Sequence, residues 1–324
     1  MTSLPIAIGR EAPHAASTDV LEAARAYSDA DTSAATQRAY AGAWRDFEAW
    51  CLGYDTPPLP ALPGAVAAYL ASLADRKLSA STIDQRAAAI AWTHRRAGHT
   101  PPTGDEVVKR VQRGIRRTIG TAQHGKSPAT AEVVRKLLKA LLRDAGATLA
   151  GLRDQALMLV GFAGALRRSE LVALTVEDLE RTPEGIVVTI CRSKTDQEGA
   201  GQTVSIPLGR KLRPVAALEA WLDAAGITTG PVFRPVNKGG GVGAEALTPQ
   251  SVALVIKRWA GAAKLDPKLF AGHSLRSGLI TQALLDEIDV LQIMDVSRHT
   301  EVKTLKKYDR RAKSFKQHAG RKSL

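Results

Sequence analysis

"RHTEVKTLKKYDRR", residues 298–311, holds Tyr308, the only tyrosine after Tyr69 in a chain of 324 residues. His299 stands nine residues before it, and Lys306, Lys307, Arg310 and Arg311 surround it. Three other segments of the second half carry a similar set of side chains. "GALRRSEL" (164–171) puts Arg167 at a turn with Glu170 three residues on. "CRSKTDQEG" (191–199) puts Lys194 at the end of a strand, beside a hairpin turn. "GHSLRSG" (272–278) sets His273 and Arg276 three apart at a helix start, so both can face one point.

The sequence around these segments predicts helices with one small sheet. "AEVVRKLLKALLRDAG" to "LRDQALMLVGFAGA" reads as a long helical stretch. "GIVVTICRSK" and "QTVSIPL" read as two strands turned by "EGAG". "TPQSVALVIKRWAGAA" resumes the helices with Thr248 as cap and Pro249 at the first position, and the chain is expected to stay helical to its end. The first half contains no convincing strand. "DTSAATQRAYAGAWRDFEAWCLG" reads as a long helix capped by Asp31, Thr32 or Ser33, with Tyr40, Trp44, Phe47 and Cys51 on one face. "PGAVAAYLASLADR", "SASTIDQRAAAIAWTHRRAG" and "TGDEVVKRVQRGIRRTIG" follow as helices, the last with Thr103 and Glu106 at capping-box spacing. The expected organisation is a poorly ordered N-terminus over 1–17, a helical domain over 18–120, a Gly/Ser/Pro-bearing linker over 121–129 and a mostly helical second domain over 130–324.

The formal net charge is +13. Residues 1–31 carry five acids and two bases, so the remainder carries +16. That excess suits a polyanionic partner, nucleic acid before a membrane surface. No apolar run is long enough to span a bilayer, and the first residues lack a secretory pattern. Cys51 and Cys191 match no metal-ligand spacing and read as reduced thiols in a cytoplasmic protein. The basic charge concentrates in two helix segments of the first half. His94, Arg95 and Arg96 end one helix. Lys109, Arg110, Arg113, Arg116 and Arg117 line the next, with Arg110, Arg113 and Arg117 near one face and Val108, Val111 and Ile115 pointing elsewhere. Two such segments in one small domain can straddle a duplex backbone.

The four segments, in this order, resemble the signature of the tyrosine recombinases, the phage integrase family. "TQRAYAGAWRDFEAWC" resembles the opening helix of that family's core-binding domain, and "TIDQRAAAIAWTHRRAG" its DNA-gripping helix; the likeness spans residues 32–311. The resemblance implies a mainly α fold: a helical, SAM-like core-binding domain, then a mostly helical α+β catalytic domain with a small antiparallel sheet. It also implies site-specific cleavage and rejoining of double-stranded DNA through a 3′-phosphotyrosyl link and a Holliday junction. The expected assembly is a homo-tetramer on two DNA sites, with no metal, cofactor, small-molecule substrate or membrane.

By the same resemblance Arg167 and Arg276 clamp the phosphate, since guanidinium forks match phosphate oxygens and stay charged. Lys194 protonates the leaving 5′-oxygen, with Lys211 a weaker substitute. His299 donates to a non-bridging oxygen, His273 accepts or positions the tyrosine proton, and Glu170 orients the shell. Tyr308 attacks phosphorus. The cations around Tyr308 are expected to favour its phenolate. Arg298 stands where many family members have glycine, which bears on the turn that places His299. Ala312, Phe315 and Ala319 form an apolar stripe in the tail that packs either on its own protomer or, as the resemblance implies for residues 312–324, on a neighbouring one. The rivals are a type IB topoisomerase with the same chemistry and a DNA-binding regulator without catalysis.

Overall fold

Ser33 starts the first helix by accepting a hydrogen bond at Oγ from the Thr36 amide (3.3 Å), satisfying one of the donors a helix start leaves open. The computed structural model describes residues 22–23, 27, 31–121, 125–190, 201–305 and 308. The expected disorder of 1–17, most of residues 18–30, Lys194 with its hairpin turn, and the tail after Tyr308 lie outside the described residues. The chain forms two units, residues 1–124 and 125–324.

In the first unit, α1 (Ala34–Gly53) buries Phe47 and Cys51. Helix α2 (Pro63–Asp75) has proline in its first turn, where no amide partner is lost, and buries Val66, Tyr69, Leu70 and Leu73. Helix α3 (Ala80–Arg96) is capped by Ser79 and packs Ile83, Ala87 and Ile90 into the same core. Helix α4 (Glu106–Ile119) turns Val108 and Ile115 inward and its arginines outward. Its cap differs from the sequence expectation. Thr103 falls inside a 3₁₀ turn, Pro102–Gly104, and Asp105 caps instead by accepting from Val107 N at 2.8 Å. His94 also departs from its basic neighbours. It is wholly buried, with Nε2 accepting from the Ala61 amide at 2.9 Å and Nδ1 donating to Ile90 O at 2.8 Å. Burial lowers its pKa, so it is a neutral core histidine and not part of a cationic surface.

In the second unit, α5 (Ala131–Ala145) and α6 (Leu149–Ala163) are separate helices; Thr148 caps the second. Helix α6 is buried on nearly every side from Ala156 to Phe162, as befits a helix surrounded by others. Its Asp154 is held by Arg153 (2.7 and 3.0 Å) and by the indole Nε1 of Trp259 (2.8 Å). The short α7 (Arg168–Ala173) follows, then a sheet of three antiparallel strands in the order β1-β2-β3. Strands β2 (Gly185–Ile190) and β3 (Gln202–Pro207) are the expected pair, turning Ile186, Val188, Val204 and Ile206 into the core. Strand β1 (Leu179–Thr182) is an addition. Its "LERT" carries two charged residues and no β-branched run, so its pairing comes from β2 and not from local preference. Helices α8 (Pro214–Ala225), α9 (Pro249–Ala262, capped by Thr248), α10 (Ser274–Leu285) and α11 (Val290–Ser297) complete the unit. Trp221 and Trp259 sit deep in its core. Among the described residues no helix is long and apolar enough to cross a membrane.

One close approach fixes α10. The Ala129 amide donates to Ser274 O at 2.8 Å, and a Cβ on Gly278 would meet Ala129 O at 1.9 Å. Since neither backbone can yield easily, Gly278→Ala is expected to cost about 3 kcal/mol of stability. A lower urea midpoint with an unchanged slope checks it.

Candidate active site

The site is built at helix ends. Helix α6 stops at Gly164, Ala165 takes a left-handed conformation (φ 45°), and Leu166 plugs the core. The next residue, Arg167, is the N-cap of α7. Glu170, at the third position of that helix, accepts from the Arg167 amide (2.8 Å) and from the Arg167 guanidinium (2.5 Å). The glutamate arm of a capping box thus also carries an ion pair.

His273 is the N-cap residue of α10, and Arg276 lies in its first turn with only 1% of its surface exposed. Arg276 donates to Ala165 O at 2.7 Å and to Ser297 O. It therefore ties the loop before α7 to the end of α11. At that end Arg298 adopts the left-handed region (φ 54°, ψ 48°), and the chain turns so that the His299 amide reaches Met294 O at 3.1 Å. Glycine takes this conformation freely, whereas other residues bear about 1–2 kcal/mol of strain. The Arg298 side chain folds inward. It donates to Glu170 Oε2 at 2.7 Å, and to Gly164 O and Ala165 O at 3.3 and 3.4 Å.

Residues 302–305 are helical, and Leu305 packs with Ile280, Leu284 and Ile293. This small cluster carries Tyr308; Val302, which helical spacing groups with it, is exposed. The Tyr308 hydroxyl lies 3.0 Å from His273 Nε2, and the His299 ring centre lies 6.2 Å from that of Tyr308. Arg167, Glu170, His273, Arg276, His299 and Tyr308, drawn from three segments, thus come together. Lys194 lies outside the described residues, and Lys211 is exposed beyond the end of β3. Among the described residues no group of three or more His, Cys, Asp and Glu is placed to hold a metal ion.

Burial alone would raise Glu170; the Arg167 amide, Arg298 and the Arg167 guanidinium outweigh it and hold the carboxylate below its usual range. Arg276 is lowered to about 10 by burial and then by Arg167 and Arg298, and stays charged at neutral pH. His273 keeps solvent-facing surface, yet the atoms packed around it, then Arg276 and Arg167, lower its pKa. His299 falls to about 4, through burial first and then Arg276, Arg167, His273 and Arg298. Both rings are neutral at pH 7. The His299 tautomer follows from its neighbour. Ser297 Oγ donates its one proton to Ile293 O (2.6 Å), so in the 2.7 Å contact it accepts from His299 Nδ1–H. The neutral ring then presents Nε2 as a lone pair.

Tyr308 corrects the sequence expectation of a favoured phenolate. Burial raises its pKa, and the opposing pull of Arg276 and Arg167 does not cancel it. Lys306, Lys307, Arg310 and Arg311 lie outside the described residues. The reading of the sequence also missed two residues that complete the site, Ser297 and Arg298. Arg298 had a legible signal: a long cation at a turn position that favours glycine.

In the first unit, Lys109, Arg110, Arg113, Arg116 and Arg117 are all exposed on α4. Arg116 pairs with Asp84 on α3 at 2.7 Å and Arg113 pairs with Glu106, while Lys109, Arg110 and Arg117 make no ion pair among the described residues. Arg95 is exposed, and Arg96 lies over the Trp92 ring at 4.7 Å.

The model of the Phage integrase family matches residues 127–314. An integrase/recombinase XerD homolog of Selenomonas ruminantium is 42% identical over 289 residues, 88% of this chain and 84% of that protein. Recombinase Cre of Escherichia phage P1 is 26% identical over 282 residues, 82% and 81% of the two chains. Among solved structures, the Tn1549 transposon integrase in complex with transposon right end DNA superposes with a TM-score of 0.64, covering 91% of this chain and 98% of that one at 15% identity. XerH site-specific recombinase bound to palindromic difH, in a post-cleavage complex, gives 0.61 over 81% and 73% at 16% identity. With the helical fold, the small antiparallel sheet and this side-chain cluster, these matches establish that the chain belongs to the phage integrase family of tyrosine recombinases.

Proposed function

We propose that this chain is a site-specific DNA recombinase in which Tyr308 attacks a phosphodiester and forms a 3′-phosphotyrosyl link, later resolved by strand exchange through a Holliday junction. The observation that carries the reading is the 3.0 Å contact of the Tyr308 hydroxyl with His273 Nε2, beside Arg167 and Arg276. A neutral His273 accepts the phenolic proton, and the two guanidiniums stabilise charge gathering on the phosphate. Lys194 is the proposed acid for the leaving 5′-oxygen. The assembly is four protomers on two duplex sites, working in the cytoplasm, with the tail after Tyr308 docking between protomers. The topoisomerase and regulator readings are not favoured, since relatives matched over more than four fifths of the chain carry recombinase names.

The target sequence is obtained by selecting random-sequence duplexes for binding to the protein. On a nicked form of that duplex the chain is expected to leave a denaturant-stable protein–DNA adduct. Tyr308→Phe is expected to bind equally well and form none, because only the nucleophilic hydroxyl is lost. An adduct in that variant assigns the attack to another residue.

His299 supplies a pH test. Its neutral form holds the proton on Nδ1, so donation from Nε2 to a non-bridging oxygen requires the imidazolium. Free of DNA its pKa is about 4, and a bound phosphate raises it, so binding takes up a proton. Affinity therefore strengthens as pH falls from 7 towards 5, by up to about tenfold per unit for one proton taken up. His299→Gln is expected to lack this component when the two are titrated side by side.

The α4 surface supplies a salt test. Arg110→Gln together with Arg117→Gln is expected to flatten the plot of log affinity against log salt by about 0.9 for each phosphate that is no longer neutralised. An unchanged slope assigns that face to solvent.

A further inference from the structure

The position of Arg298 calls for glycine on backbone grounds, so its side chain is what the site gains there. That side chain is 4% exposed and reaches two groups the proposed reaction depends on. One is Glu170, whose carboxylate also holds the Arg167 amide and guanidinium. The other is Ala165 O, which also receives Arg276. Arg298 therefore stands behind both proposed phosphate-clamping arginines and touches the anchor of each.

The charges give this arrangement a consequence. Glu170 is the buried carboxylate at the centre, and a carboxylate paired with Arg167 alone would cancel much of the charge that Arg167 offers a phosphate. With Arg298 on its second oxygen, Glu170 is shared. Taken together, Arg167, Arg276 and Arg298 less Glu170 leave two positive charges in excess, where without Arg298 only one would remain. In a water-poor site that difference acts directly on a phosphate gaining negative charge.

Resting on the recombinase reading above, we propose that Arg298 is a positioning residue of the cleavage reaction: it shares Glu170 and braces Ala165, so that Arg167 and Arg276 meet the scissile phosphate with full charge and fixed geometry. It acts through those groups and needs no contact with DNA of its own.

The test compares the unaltered chain with Arg298→Gly, Arg298→Lys and the double variant Arg298→Gly/Glu170→Gln, on the selected duplex. Equilibrium affinity and single-turnover adduct formation on the nicked form are both read. Glycine suits the turn, so Arg298→Gly is expected to fold; its adduct formation is expected to slow about a hundredfold, the scale of a misplaced clamp, with affinity changed less than about threefold. Adding Glu170→Gln removes the unshared negative charge while keeping an acceptor for the Arg167 amide. It is expected to restore about tenfold of the lost rate, which a purely structural role would not do. Arg298→Lys retains the charge and is expected to stay within about tenfold of the unaltered chain. The proposal is overturned if Arg298→Gly keeps its rate, if Glu170→Gln brings no recovery, or if Arg298→Lys is as slow as Arg298→Gly. Absence of an adduct in the unaltered chain overturns the recombinase reading, and this inference with it.

Discussion

The Glu170 carboxylate is the constraint around which the second unit's site is organised. It lies almost wholly buried, where an uncompensated charge would be prohibitive. Its compensation comes from three directions: the Arg167 amide, the Arg167 guanidinium and Arg298. Each bond does two things. The amide bond starts α7, the Arg167 ion pair aims the side chain, and the Arg298 bond draws the end of α11 towards the loop after α6. The same contacts that satisfy the carboxylate therefore fix the relative placement of segments some 130 residues apart in the chain.

Arg167 and His273 both stand at helix starts, where the positive end of the helix dipole favours an anion. Arg276 adds a bracing role, because its guanidinium is bound to carbonyls of the α6–α7 loop and of Ser297. A charge so held sits in place before the substrate arrives, and no reorganisation is needed as the reaction begins. The α4 surface of the first unit is of another kind: exposed arginines, two of them in solvent-facing ion pairs of little strength, suited to following a phosphate backbone.

What the sequence made legible was local. Helix starts at Ser33, Ser79 and Thr248 follow from side chains that cap their own backbone, and β2 and β3 from runs of β-branched residues. The pairing of His273 with Arg276 follows from spacing within one turn of helix. What escaped was decided by distant partners. Strand β1 exists because β2 offers an edge, and His94 turns inward because the Ala61 amide needs an acceptor. Asp105 displaced Thr103 as a cap because a 3₁₀ turn claimed the earlier residue. Arg298 was visible as an odd residue at a turn, but its bond to Glu170 spans 128 positions and no local pattern carries that. The acidity of Tyr308 was misjudged because burial, which no local pattern carries, outweighs the pull of Arg276 and Arg167.

That last correction bears on how the proposed reaction starts. Arg276 and Arg167 lower the pKa of Tyr308, and they also lower that of His273. The first effect makes the phenol a better proton donor, while the second makes the imidazole a poorer acceptor. Transfer between them depends on the difference, so in the resting enzyme the two effects of the arginines oppose each other. The phenol stays intact, which protects the proposed nucleophile, a side chain only partly buried. A phosphate bound between the guanidiniums changes this balance. Its charge offsets theirs at His273 and raises the basicity of the ring, and the electrons released by the phenol flow onto oxygens that the arginines already hold. Proton transfer and attack are then favoured together, and only when DNA is in place.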